Sequence, residues 1–491
     1  MLLEMATQGA PDRVAVVAGG RSMTYAELSD QAHRYAATVA DLEVERLVYV
    51  GENSCEAVAA LFGAALAAVP YVPVNYRWTD AQIADALATI EPAAVLTDHG
   101  CAHRVPEAAG LVRIGVPSPD DPVPAAPPVH ADEDAPAVLL FTSGTSGTPK
   151  AAVLRNRHLV PYVLGTVEFL NADADEAILV SVPPYHIAAV SSVLTSVFAG
   201  RRMVQLVAFD ADSWVELART QRVTQAMVVP TMLDRILDVV EADGAGLPAL
   251  RHLSYGGGRM PAAVVERAMR LLPDVDLVNA YGLTETSSTI TLLGPEDHRV
   301  AAASTDPAVR ARLGSVGRAL PTVEIEIRDR DGAALGPLAS GEVWVRGEQV
   351  SGEYLTHRAI TADGWYPTAD HGYLDADGFL FLHGRLDDVI VRGGENLSPA
   401  EIEDRLVQHP AIAEAAVVGV PDREWGERVE AVVVVADGTE VSEPEIQEWV
   451  RTALRSTRVP AAVHRRAALP YNETGKLLRR VLRDDLAATN S

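Results

Sequence analysis

The sequence predicts an α/β protein of more than one domain, on three observations. Strand-like apolar runs alternate with helical patterns: 47-LVYVG-51 precedes a helix from Glu56, and 226-AMVVP-230 precedes 231-TMLDRILDVVEA-242. Such alternation builds parallel sheets covered by helices. With 491 residues, 48% of them hydrophobic, the chain exceeds one core, since single cores stop growing at roughly 250–300 residues. Near 384-GRLDD-388 a β-rich, turn-rich stretch gives way to a compact α+β pattern. The remaining tail, about one hundred residues, is enough for a small domain. The expected division is therefore a large N-terminal domain, 1–385, of sheets with covering helices plus a small β-rich subdomain, and a small α+β C-terminal domain, 386–491.

Taken in order, the start MLLEMATQGAPDR lacks a basic segment followed by a sustained apolar one, so no signal peptide is expected. The run 57-AVAALFGAALAAVPYVPV-74 reaches the length at which a membrane span is considered. Its alanines, Gly63, Pro70 and Pro73 instead predict a buried helix running into a strand. The stretch 116-VPSPDDPVPAAPPVHADEDAP-136 predicts an extended connector. Turns are expected at 362-ADGW-365 and 375-DADG-378. In the tail, Ser398 as N-cap, Pro399 at N1 and Glu401 at N3 open a helix over EIEDRLVQHP. The runs 415-AAVVGV-420 and 429-VEAVVVVA-436 read as strands.

A formal charge of −26 argues against non-specific attraction to nucleic acid or an anionic membrane. An anionic substrate would need a local positive site against that field. Cys55 and Cys101, with no CxxC and no Cys/His cluster at metal-ligand spacing, read as reduced, buried small hydrophobes, which fits a cytoplasmic protein.

The stretch 141-FTSGTSGTPKAAVL-154 follows the apolar 137-AVLL-140. It does not fit a Walker A motif. Hydroxyls of Thr142, Ser143 and Thr145 supply donors, Gly144 lets backbone approach an anion, and Lys150 supplies charge. Alone, this stretch would equally serve as a flexible turn.

Six pieces stand in order along the chain: 142-TSGTSGTPK-150, 256-GGG-258, 281-YGLTET-286, 365-WYPTAD-370, 384-GRLDDVIVRGGENLSPAEIE-403 and 472-NETGK-476. Together they resemble the adenylate-forming (AMP-binding) superfamily, in its acyl-CoA and aryl-CoA synthetase branch. The resemblance implies a small C-terminal domain that is mobile, and a ligase that uses ATP and Mg2+ to join a carboxylic acid to AMP and then to coenzyme A. By resemblance the opening loop holds the β- and γ-phosphates, and Gly256, Gly257 and Gly258 lie beside the nucleotide and acyl group. Tyr281 stacks on adenine, with Gly282 and Thr284 in the same cofactor-binding motif, and Glu285 ligates magnesium. Asp370 and Arg385 hold the ribose, although Ala369 stands where the family usually has glycine. Its methyl is tolerable unless that position needs φ > 0. Lys476 is the catalytic lysine, Gly394 belongs to the loop lining the pantetheine tunnel, Trp425 lies near the nucleotide end of CoA, and Asp387 is the hinge.

His186, in 183-PPYHIAAVSSVLTSVFAG-200, is similar to the histidine or aromatic that related ligases place near the substrate carboxylate, and joins Lys476 and Glu285 as a catalytic candidate. The residues after it are apolar or small, with no aspartate to pair with an α-amino group. An apolar aliphatic or aromatic acid is expected. The motif 457-TRVP-460 keeps a cation in Arg458 but replaces the family's aromatic with Thr457. A stand-alone adenylation enzyme that loads a carrier-protein phosphopantetheine thiol therefore remains the alternative to a CoA ligase.

Overall fold

The computed structural model describes all residues except His99, 125–131, 143–149, Gly394, 472–476 and 490–491. Two sheets form the body. One has six strands, in the order 111–114, 93–97, 47–50, 71–74, 136–142 and 150–155, parallel except for the last pair. The other has nine strands, parallel from 276–283 across to 14–18 and closed at both ends by antiparallel strands. Strands buried on both faces explain the near-continuous Val, Leu and Ala runs.

The helices Cys55–Leu66 and Ile187–Ala199 lie between these sheets. Val58, Leu61, Val190 and Val197 share one core with Tyr71 and Leu140 of the first sheet and Val16 and Met203 of the second. The long apolar run near residue 57 is thus a buried helix, capped by Ser54 accepting from the Ala57 N–H, followed by the strand Tyr71–Val74. Among the described residues no helix is long and apolar enough to cross a membrane.

A four-stranded antiparallel sheet follows, made of Val323–Arg328, Gly341–Gly347, Tyr366–Leu374 and Leu380–Arg385. Beyond it the tail builds its own core. The hairpin Ile412–Asp422 with Gly426–Val435 carries Val417, Val429 and Val433 against Ile402, Leu406, Ile446 and Val450 on one face. On the other, Ala416, Val418 and Val432 meet Leu482 and Leu486 of the last helix.

The helix expected after Ser398 forms with that residue at its N-cap and Pro399 at its start. Ser398 occupies the N-cap of helix Pro399–Val407 but makes no side-chain cap bond. Its hydroxyl donates instead to the carbonyl of His383, 2.9 Å away in the four-stranded sheet. The stitch across the junction uses the group that would have capped the helix.

Candidate active site

The glycine- and hydroxyl-rich loop is mounted on a hairpin. Thr142 and Lys150 face each other across the antiparallel pair, with the Thr142 hydroxyl 3.4 Å from the Lys150 carbonyl. Ser143, Gly144 and Thr145 lie outside the described residues. Lys150 is half-buried and makes no ion pair among the described residues. Its strand gains a partner on the open side: the Val153 N–H donates to Glu353 O at 2.8 Å and the Leu355 N–H to Ala151 O at 3.0 Å. Arg155 grips Glu353 through Nε at 2.9 Å and Nη2 at 2.6 Å, the bidentate geometry that suits a guanidinium.

Residues 351–355 also meet Glu285. That residue follows the strand Asp276–Leu283 in a single tight turn, Thr284–Thr286. The Thr286 hydroxyl accepts from the Leu283 N–H at 3.0 Å, fixing the turn from inside. Ser287 and Ser288 then adopt positive φ, 56° and 108°, a strain that persists only where surroundings enforce it. Glu285 is 7% exposed. Its carbonyl accepts from the N–H groups of Ser351 and Gly352, and its Oε1 from the Tyr354 hydroxyl at 2.5 Å. No cationic side chain pairs with it among the described residues. A buried carboxylate without a cation is costly, and magnesium is commonly held by one or two carboxylates plus substrate phosphates. The residues present therefore fit a divalent cation at Glu285.

Asp370 sits directly opposite Arg385 in the four-stranded sheet. Its Oδ2 accepts from the Tyr281 hydroxyl at 2.5 Å and its Oδ1 from Arg385 at 3.2 Å. Arg385 also donates to the Thr368 carbonyl at 3.0 Å. Burial, then the adjacent Asp370 carboxylate, pushes the Tyr281 phenol well above its usual range, so it stays a donor. Ala369, just before, has φ +57°. The condition set on its methyl is met: this position does require the left-handed region.

Two motif glycines answer to the sheet itself. A Cβ on Gly256 would lie 2.2 Å from the Ala280 carbonyl, and one on Gly282 only 1.8 Å from that of Ser288. Strand-to-strand approach accounts for them before any ligand does. Gly257 has φ +78°, while a Cβ on Gly258 would meet only Pro230, at ordinary contact distance. His186 takes the N-cap position of helix Ile187–Ala199, its ring 4.8 Å from that of Tyr185. Burial lowers its pKa to about 4, so the imidazole is neutral at pH 7, and its Nε2 is shut off from solvent without a partner.

Residues 3–355 match the AMP-binding enzyme family, and residues 401–476 match the AMP-binding enzyme C-terminal domain. The chain belongs to the AMP-binding enzymes. It is 32% identical to the fatty acid-[acyl-carrier-protein] ligase ScoC of Streptomyces coeruleorubidus, over 97% of this chain and 94% of that one. A 2-succinylbenzoate-CoA ligase of Bacillus licheniformis is 33% identical, over 96% and 97% of the two chains. The structure is similar to o-succinylbenzoate CoA synthetase (MenE) from Bacillus subtilis in complex with the acyl-adenylate intermediate OSB-AMP. That match has a TM-score of 0.84 and 28% identity and covers 98% of both chains. The adenylate-forming resemblance and the fold it implies are thereby shown.

In the C-terminal part of this AMP-binding enzyme, Lys476 and Gly394 lie outside the described residues. Trp425 is at the turn of the long hairpin, 46% exposed, with the Arg392 guanidinium 5.7 Å from its ring centre. Gly393, at φ +59°, donates its N–H to the Trp425 carbonyl. Arg458 is engaged within this part, with Glu395 at 2.8 Å and Glu401 at 2.5 Å. Asp387 is exposed in the short turn Leu386–Asp388. Sequence reasoning missed Tyr354, Tyr366 and Arg259. Tyr366 places its hydroxyl 3.4 Å from that of Tyr354. Arg259 donates to the Ala400 carbonyl at 3.0 Å and pairs with Asp404, fastening the C-terminal part to the residue after the glycine run. Tyr354 stands in a stretch without periodicity or motif and Arg259 merely follows the glycine run, so only the third dimension reveals their partners.

Proposed function

We propose that this AMP-binding enzyme activates an apolar carboxylic acid and passes it to coenzyme A. In the first step a carboxylate oxygen attacks the α-phosphorus of ATP, the bond to the β-phosphate oxygen breaks, and acyl-AMP and pyrophosphate result. In the second a thiolate attacks the acyl carbon and AMP leaves. The observation that carries this reading is the convergence of Glu285 with Tyr281, Asp370 and Arg385 at the junction of the large body and the small sheet. Asp370 accepts from ribose hydroxyls, Arg385 and Tyr281 hold that carboxylate in place, and Thr142, Ser143, Gly144, Thr145 and Lys150 contact the phosphates. Gly257 and Gly258 offer room beside the nucleotide.

Glu285 would hold a magnesium ion, which when bound would supply charge neutralisation for the phosphates. Neutral His186 stands at the acyl end, where an uncharged imidazole can hydrogen-bond a carboxylate without becoming its counter-ion. Lys476 neutralises charge developing at the α-phosphorus. We divide the chain at residues 385 and 386, with Asp387 as the pivot, and assign Gly394 to the pantetheine tunnel and Trp425 to the nucleotide end of CoA. The relatives support the class of reaction, since their names join fatty, succinylbenzoyl and feruloyl acids to CoA or a carrier.

A carrier protein is the second reading. The name of the 32% identical relative supports it, as does the engagement of Arg458 by Glu395 and Glu401, which leaves that cation less free for a nucleotide phosphate. The test incubates the enzyme with ATP, Mg2+ and a panel of apolar acids, with either CoA or a phosphopantetheinylated carrier. Pyrophosphate and AMP are expected, with mass spectrometry showing which thiol is acylated. Recovery of ADP and phosphate would rule out the mechanism.

A further inference from the structure

Residues 351–355 form a strap that touches two parts of the site at once. On one side it pairs with the strand Lys150–Arg155 that leaves the phosphate-loop hairpin. On the other it holds Glu285 at both ends, by the backbone carbonyl and by Oε1. The Tyr354 ring is itself fixed. It stacks on His357 at 4.8 Å with 16° between the planes, and the Tyr354 N–H closes a turn onto the His357 carbonyl at 2.8 Å.

The proton order follows from chemistry. A phenol has one proton to donate, and the Tyr354 oxygen lies 2.5 Å from Oε1 of Glu285. An ionised carboxylate only accepts, so that proton goes to Oε1. The Tyr354 oxygen then accepts from Tyr366, 3.4 Å away. The chain of donors runs Tyr366 to Tyr354 to Glu285, which leaves Oε2 as the carboxylate oxygen without a partner among the described residues.

We infer that Tyr354, backed by Tyr366, is a positioning residue that aims Oε2 of Glu285 at the divalent cation and ties that aim to the strand behind the phosphate loop. This rests on the reading of Glu285 as the cation ligand. A side chain free to rotate about its own bonds would lose the cation's preferred geometry. A carboxylate gripped at one oxygen presents the other in a single direction. Hydrogen-bonding partners of metal-binding carboxylates commonly matter at this level, about 10–100-fold in metal affinity.

The test compares the full-length enzyme with Tyr354→Phe, Tyr366→Phe and Glu285→Gln. Mn2+ binding to each, with a non-hydrolysable ATP analogue present, is read by electron paramagnetic resonance, beside the Mg2+ dependence of pyrophosphate release. Tyr354→Phe should weaken Mn2+ binding about tenfold, with kcat recovering at high Mg2+, and Tyr366→Phe should do the same more weakly. A general packing defect would lower kcat at every Mg2+ concentration and leave the Mn2+ affinity alone, which would overturn the proposal. Wild-type Mn2+ affinity in Tyr354→Phe with weakened binding in Glu285→Gln would overturn the relay while leaving Glu285 as the ligand. Wild-type affinity in Glu285→Gln would overturn both.

Discussion

Ala369→Gly should make the protein more stable without changing how it binds ATP. Ala369 is held at φ +57° between Thr368 and Asp370, and its N–H donates to Glu342 Oε1 at 3.2 Å. Left-handed backbone costs an L-residue about 1–2 kcal/mol. Glycine escapes that cost but adds freedom to the unfolded chain worth about 0.4–1 kcal/mol. The balance favours glycine by roughly 1 kcal/mol. Valine should move the other way, by about 1–3 kcal/mol, because a β-branched residue tolerates this region worst. Urea unfolding followed by tryptophan fluorescence reads the effect, since Trp344 lies in this sheet, Trp365 immediately precedes its third strand, and both pack against Arg328. The midpoint should rise for glycine and fall for valine at constant slope. Asp370 is held separately, by its own N–H on the Thr368 hydroxyl and by Tyr281 and Arg385, so KM for ATP should not move in the glycine variant. A glycine variant no more resistant than wild type would show that the surroundings, not the dihedral, set the cost at this position.

Two further outcomes bear on the proposed reaction. Asp387→Pro stiffens the turn Leu386–Asp388 and drives Leu386 out of helical φ/ψ; acyl-AMP formation should partly survive and thioester formation collapse, and single-turnover rates reduced by one common factor would refute a pivot there. Ala189→Leu fills a small cavity lined by Asn53, Ala57, Pro184 and Gln205, at an overpacking cost of about 1–3 kcal/mol. Accepted acids should become shorter or narrower while KM for ATP stays put, and an unchanged acid profile would move the acyl pocket elsewhere.

Local pattern carried the sequence reading a long way. The alternation of strands and helices and the buried helix at Cys55–Leu66 follow from periodicity and punctuation, which are short-range. The motif residues Glu285, Asp370, Arg385 and Tyr281 stood out through the family resemblance of the motifs that carry them. What sequence could not show was pairing across distance. Tyr354 reaches Glu285 over 69 positions, and Arg259 reaches Asp404 over 145. Ser398 read as the N-cap and is one, but its hydroxyl also donates to a carbonyl 15 residues upstream, a contact no local rule foresees. Gly256 read as room beside a ligand, and the neighbouring Ala280 carbonyl, 2.2 Å from where its Cβ would lie, is a nearer reason for a glycine there.

Asp370 and Arg385 face each other in one ladder, and the turn Leu386–Asp388 begins at the very next residue. In any rotation the arc swept grows with distance from the axle. A small domain swinging about this turn would carry its outlying residues along a wide path, while the Asp370–Arg385 pair beside the axle would scarcely travel. A nucleotide held there would stay registered, like work in a vice, while the tools for each half of the reaction pass in front of it.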